Sequence, residues 1–123
     1  MSKAKDLRVT DYLEHILEAI QRIYQYTENM TNIMFFNNTL VQDAVIRNFE
    51  NIGEACRNIQ RQDPFFCEKH PYLPLDIAYE MRNALAHGYF DVDMEIVWDT
   101  IEQNLPNLKC QVQKILAETR YSQ

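Results

Sequence analysis

From Trp98 to Ile115 the apolar residues Trp98, Ile101, Leu105, Leu108, Val112 and Ile115 recur at intervals of three and four, the spacing that places side chains on one face of an α-helix. The phase holds across Pro106. A proline removes one backbone hydrogen bond and crowds the carbonyl four residues back, so the unbroken stripe predicts one long C-terminal helix with a kink. Leu13, Ile16, Leu17, Ile20, Tyr24 and Thr27 repeat the same spacing, as do Val41, Val45, Phe49, Ile52, Cys56 and Ile59. Strand-like alternation is scarce, and two glycines in 123 residues leave no pair for a tight hairpin. The chain therefore reads as all-α, a bundle of four main helices with short accessory pieces.

Cap and stop residues set the expected boundaries. Asp11 with Glu14 reads as a capping box opening the first helix, which should end near Met30. Asn29 to Asn38 reads as a connector whose phenylalanines, Phe35 and Phe36, plug the end of the bundle. Thr39 with Gln42 forms a second box, opening a helix to about Gln60. In that helix Leu40, Ala44, Ile46 and Ala55 widen the stripe beyond one contact face, which points to a subunit partner. Gly53 costs about 1 kcal/mol relative to alanine in a helix, and close helix approach is the usual reason for one. Asp63-Pro64 and His70-Pro71 interrupt the chain, leaving room for a short helical piece at Phe65 to Lys69. A third main helix should run from Leu75 to Ala86, with Pro74 in its first turn and Gly88 as its stop. Asp91 or Asp93 then caps the last long helix.

A length of 123 residues suits one domain spanning 1–123. Cys56, Cys67 and Cys110 are odd in number and form no C-x-x-C pair, arguing against a disulfide framework or a zinc site. Met1 to Arg8 is polar, and no apolar run approaches a bilayer-spanning length, so the expected place is the cytoplasm and no membrane partner is expected. A net charge of −6 argues against a generally basic nucleic-acid-binding surface, and no DNA partner is expected. The charge is nevertheless segregated. Arg47, Arg57, Arg61 and Lys69 lie mid-chain, whereas Asp91, Asp93, Glu95, Asp99 and Glu102 fall in a stretch from Arg82 to Lys109 that holds no other cation. His15 and His70 have no metal-motif neighbours and read as ordinary surface or loop residues.

The chemistry gathers at Met81 to Phe90, M-R-N-A-L-A-H-G-Y-F. Arg82 can hold two phosphate oxygens with its planar, permanently charged fork. His87, which titrates near neutrality, can take a proton from a ribose 2′-hydroxyl or return one to a leaving oxygen. Asn83 can orient either of them or the phosphate. None of this requires a metal or a cofactor, and no metal-ligand cluster is apparent in the sequence. Residues five apart on a helix sit roughly 140° out of register, so Arg82 and His87 do not naturally line one face. Two copies about a two-fold axis can assemble both pairs in one cleft. An arginine and a histidine at this spacing arise easily by chance, and the added tyrosine at 89 makes the longer motif worth acting on.

These residues resemble the HEPN superfamily, and specifically its HepT-like branch, marked by Arg-x4-His-x-Tyr with a polar residue after the arginine. Arg82, Asn83, His87 and Tyr89 fit that pattern position by position. The likeness extends to N-I-G-E-A at Asn51 to Ala55, to the proline-rich run before the third helix and to V-D-M-E-I-V-W at Val92 to Trp98. It departs at Leu75, where many relatives carry tryptophan, a change bearing on packing rather than on the motif. The resemblance implies a metal-independent ribonuclease toxin that works as a homodimer on RNA. It also implies a partner, the minimal nucleotidyltransferase antitoxin MntA, which would use ATP to place AMP on Tyr89. Arg82 and His87 would then be the catalytic pair and Asn83 a supporting residue. The runner-up is a catalytically silent HEPN binding module that partners a nucleotidyltransferase. An intact Arg82, Asn83 and His87 count against it.

Overall fold

The computed structural model describes residues 8–74, 77, 81 and 92–122. The described residues contain six helices and no strand, which confirms the all-α class. They are α1 (Val9–Tyr26), α2 (Asn32–Phe36), α3 (Thr39–Gln62), α4 (Pro64–Lys69), α5 (Met94–Gln103) and α6 (Leu105–Ser122).

The first helix starts earlier than its sequence signals suggest. Arg8 is the N-cap and Asp11 the third helical residue, its Oδ2 accepting the Arg8 amide at 2.9 Å. Asp11 is thus the reciprocal member of the cap rather than the cap itself, because Val9 and Thr10 are already helical. The helix also ends earlier, at Tyr26. Thr27 Oγ1 donates to the Ile23 carbonyl at 2.8 Å, and Asn29 adopts a left-handed φ of 62° that asparagine tolerates better than most residues.

The expected connector holds a helix of its own. Thr31 Oγ1 accepts the Met34 amide at 3.2 Å and opens α2, which is too short to show periodicity in sequence. Phe35 is fully buried and Phe36 half-buried, so the plug is mainly Phe35, whose ring lies 5.2 Å from that of Trp98. Asn38, not Thr39, caps α3, its Oδ1 accepting the Val41 amide at 3.0 Å. Gln42 is drawn elsewhere. Its Nε2 donates to the carbonyls of Phe35 and Phe36 at 2.9 and 3.1 Å, satisfying the open end of α2 from the first turn of α3.

Along α3 the stripe Val45, Phe49, Ile52, Cys56 and Ile59 is buried, and α1 packs along it with Leu13, Ile16, Ile20 and Ile23. Gly53 is buried in the same helix. Ala55 belongs to the intramolecular core, whereas Leu40 is 80% exposed. The short helix expected near Phe65 is α4, with Pro64 in its first turn and Asp63 Oδ1 accepting the Phe66 amide at 3.1 Å. Of the expected third main helix, Ile77 and Met81 are described, and both are helical and buried. The rest of Leu75 to Ala86 lies outside the described residues.

Asp93, rather than Asp91, caps α5, its Oδ1 accepting the amides of Glu95 and Ile96 at 3.0 and 3.3 Å. The helix expected to run on with a kink at Pro106 is interrupted instead at Asn104, two residues ahead of that proline, and divides into α5 and α6. Ile101, Leu105, Leu108, Val112 and Ile115 stay buried across it, so the stripe keeps its phase. Helix α6 packs against α1, and α2 bridges α3 and α5. No helix among the described residues is long and apolar enough to cross a membrane.

Candidate functional site

Arg82, Asn83, His87 and Tyr89 lie outside the described residues. Ahead of them in the chain the structure places Ile77 and Met81. Ile77 and Met81, four residues apart on one helical face, are 0% and 4% exposed within the core that also takes in α1, α3, α5 and α6. Arg82 is the next residue after Met81 in the chain.

Of the mid-chain cations, Arg47, Arg57 and Arg61 are exposed on α3, and Lys69 is exposed at the end of α4. Arg47 and Arg61 stand seven residues either side of Glu54, about two helical turns or 10 Å away along the axis. Arg57 is one turn beyond Glu54, while Asp43 and Glu50 share the same exposed side. This surface is a mixed strip rather than a basic one. The acidic run sorts differently: Asp93 is consumed as the α5 cap, and Glu95, Asp99 and Glu102 remain exposed along that helix.

Between α1 and α3 runs a groove of about 360 Å³ lined by Tyr12, His15, Glu18 and Arg22 of α1 and by Asn51, Glu54 and Asn58 of α3. Ala19 and Ala55 also line it and are 3% and 4% exposed, so two small side chains form its floor. On the α1 side the Tyr12 and His15 rings meet edge to face, with centroids 6.1 Å apart and planes at 86°. Arg22 is engaged with Glu18 at 2.7 Å. The sequence offered only a weak signal for this groove: Asn51, Glu54 and Asn58 recur at three and four residues, as polar residues on any solvent-facing helix do.

Elsewhere among the described residues burial shifts three groups, Cys56, Cys67 and Tyr24. Burial pushes the Cys56 thiol up to about 12, with Cys67 adding to the rise. Burial also raises the Tyr24 phenol, whose ring lies 5.4 Å from Lys109 Nζ. His70 packs against Phe66 at 4.5 Å. No group of three or more His, Cys, Asp or Glu among the described residues is placed to hold a metal ion.

A family model described as ribonuclease HepT-like matches residues 16–115. The chain belongs to that family. The matched span takes in α3 and the whole of the stretch from Arg82 to Tyr89. Among curated relatives, a probable ribonuclease HepT of Thermococcus cleftensis is 39% identical over 105 residues, covering 85% of this chain and 93% of the relative. A Methanocaldococcus jannaschii protein named as a gamma-glutamylcyclotransferase and candidate RNase is 40% identical over 114 residues. That match covers 93% of this chain and 49% of the relative, so the chain spans about half its length. A candidate RNase of Caldanaerobacter subterraneus is 34% identical over 109 residues, 89% of this chain and 95% of the relative. No solved structure matches the chain. Fold class and family agree: this is a HepT-like HEPN protein built from helices.

Proposed function

We propose that the chain is the toxin of a toxin-antitoxin pair, an endoribonuclease whose site forms from Arg82 and His87 across a homodimer. The observation that carries this reading is the family match over 16–115, which spans an Arg82-x4-His87-x-Tyr89 motif complete in the sequence. Curated relatives named as ribonucleases support the same reaction class. In this mechanism His87 takes the proton of a ribose 2′-hydroxyl. The freed oxygen bonds to the adjacent phosphorus, and the bond from phosphorus to the 5′-oxygen breaks as that oxygen takes up a proton. The products are a 2′,3′-cyclic phosphate and a 5′-hydroxyl. Arg82 stabilises the extra charge on the phosphoryl oxygens with its fork of donors, and Asn83 supports the pair. The residues required are a base, a cation and an amide, and a metal is not needed. Two protomers complete the site because a five-residue spacing turns Arg82 and His87 away from each other on a regular helix.

Control of the activity falls to Tyr89. A nucleotidyltransferase antitoxin of the MntA type transfers AMP from ATP to its phenol, releasing pyrophosphate. The added bulk and negative charge then stand where an RNA phosphate must bind. The test has two arms. Arg82→Ala and His87→Ala should each lower RNA cleavage at least a hundredfold and relieve growth arrest while the dimer persists. Undiminished cleavage in both variants would overturn the assignment. After incubation with the partner and ATP, mass spectrometry should locate AMP on Tyr89, and AMP found solely at other residues would remove Tyr89 from its role.

A further inference from the structure

The groove between α1 and α3 contains hydrogen-bonding capacity that the described chain leaves unused. Asn51, Glu54 and His15 are exposed and Asn58 half-buried, and the side chains of these four make no hydrogen bond or ion pair with another described residue. Three of them stand on consecutive turns of α3, with Asn51 three residues before Glu54 and Asn58 four after it, so their side chains converge on one side of that helix. The opposite wall, on α1, presents the Tyr12 and His15 rings. At about 360 Å³ over a floor of Ala19 and Ala55, the groove lies within the size range of small-ligand sites.

The chemistry of the lining narrows the occupant. Two aromatic rings on one wall suit a planar heterocycle, since unpaired bases stack on such side chains without regard to sequence. A carboxylate can only accept hydrogen bonds, so Glu54 favours the base edge with two adjacent donors. Guanine offers that edge in its N1–H and 2-amino group. Uracil presents one donor between two acceptors, and adenine and cytosine present one amino group beside an acceptor. The amide groups of Asn51 and Asn58 can donate to the guanine O6. Two carboxylates, Glu18 and Glu54, face the groove against the single cation Arg22, so phosphates are better met by Arg47, Arg57 and Arg61, exposed on α3 outside it. They can carry the backbone on either side of the base.

We infer that the α1–α3 groove is a subsite for one unpaired guanine of single-stranded RNA, read by Glu54 and flanked by Asn51 and Asn58. This rests on the ribonuclease reading and adds to it a base preference at a position defined by α3. The experiment uses the full chain and fluorescence anisotropy with labelled 2′-O-methyl heptamers, which cannot undergo 2′-hydroxyl attack. The heptamers differ in one central base: guanine, hypoxanthine or adenine. The guanine heptamer should bind about tenfold more tightly than the adenine one, with hypoxanthine, which lacks the 2-amino group, between them. Glu54→Ala should bring all three within about twofold of one another while affinity for the adenine heptamer is kept. Equal affinities in the unaltered protein, or a preference that survives Glu54→Ala, would sink the subsite. Light scattering on Glu54→Ala at the same concentration should find the unaltered oligomeric state. A dimer lost together with the preference would assign the groove to a second copy and overturn the inference. Cleavage of unmodified RNA is followed in parallel. Cleavage with no guanine preference in binding defeats the subsite and leaves the ribonuclease reading standing, whereas guanine-selective binding without cleavage defeats that reading alone.

Discussion

Helix α3 has two faces that obey different rules. Inward, Val45, Phe49, Ile52, Cys56 and Ile59 are at most 3% exposed, in register with α1. Outward, Asp43, Arg47, Glu50, Glu54, Arg57 and Arg61 are all exposed. The inner face removes apolar surface from water, and its identity as hydrophobic of the right volume matters more than its detailed chemistry. The outer face contributes little to stability, because exposed charges are screened and held at an entropic cost. Its freedom from structural duty leaves Glu54 and its flanking amides available for a ligand. The same helix therefore serves as the spine of the bundle and as one wall of a groove.

The largest effect belongs inside. Phe49→Ala should destabilise the protein by about 3–5 kcal/mol, through lost burial and the cavity left behind, read as a fall in the denaturation midpoint. A loss below about 1 kcal/mol would mean that the core around Phe49 collapses easily and that α3 is not the spine. A smaller effect comes from Cys56. Its thiol is held up to about 12 by burial, so the folded protein keeps it neutral where the unfolded chain ionises it. The stabilising contribution is present below the ordinary thiol pKa and is lost as pH rises above it, by up to about 1.4 kcal/mol per pH unit. Between pH 8 and pH 10 the protein should lose more stability than a Cys56→Ala variant over the same interval. Equal losses would show that this thiol ionises in the folded state and is less sheltered than the inner face requires. The smallest effect is outside. Arg47→Ala should shift stability by no more than about 0.5 kcal/mol in thermal denaturation, and a loss comparable with Phe49→Ala would reveal that the outer face is buried against a second protomer.

Much of this architecture was legible before any tertiary information. The stripes of α1, α3 and α5–α6 come directly from three-and-four spacing, and every residue of the α3 stripe from Val45 to Ile59 is buried. Boundaries were less legible because cap residues compete locally. Asp11 and Gln42 each suit a capping box, but Asp11 answers the Arg8 amide and Gln42 is captured by carbonyls at the end of α2. Nothing in a single-helix pattern reveals the second of these, since Phe35 and Phe36 become acceptors only once α2 forms. The five-residue α2 was hidden for a related reason: its stability comes from burying Phe35 against Trp98, more than sixty positions away in the chain. As for the site, the sequence supplied the motif residues Arg82, Asn83, His87 and Tyr89 and their chemistry. Structure supplied the buried Ile77 and Met81 ahead of them.

By itself, then, the sequence determined that this chain is helical, which faces of its helices are apolar, and which HepT-like residues it carries. These are local properties, set by a period of 3.6 residues and by side-chain identity. Only the tertiary structure decided which helix lies beside which. That choice sets Tyr12 and His15 of α1 across from Asn51, Glu54 and Asn58 of α3, with Ala19 and Ala55 between them. A groove needs two walls, and the walls here are some forty residues apart in the chain. Their meeting depends on how the buried faces of α1 and α3 interlock, a non-local packing outcome that polar residues on a solvent-facing stripe do not encode.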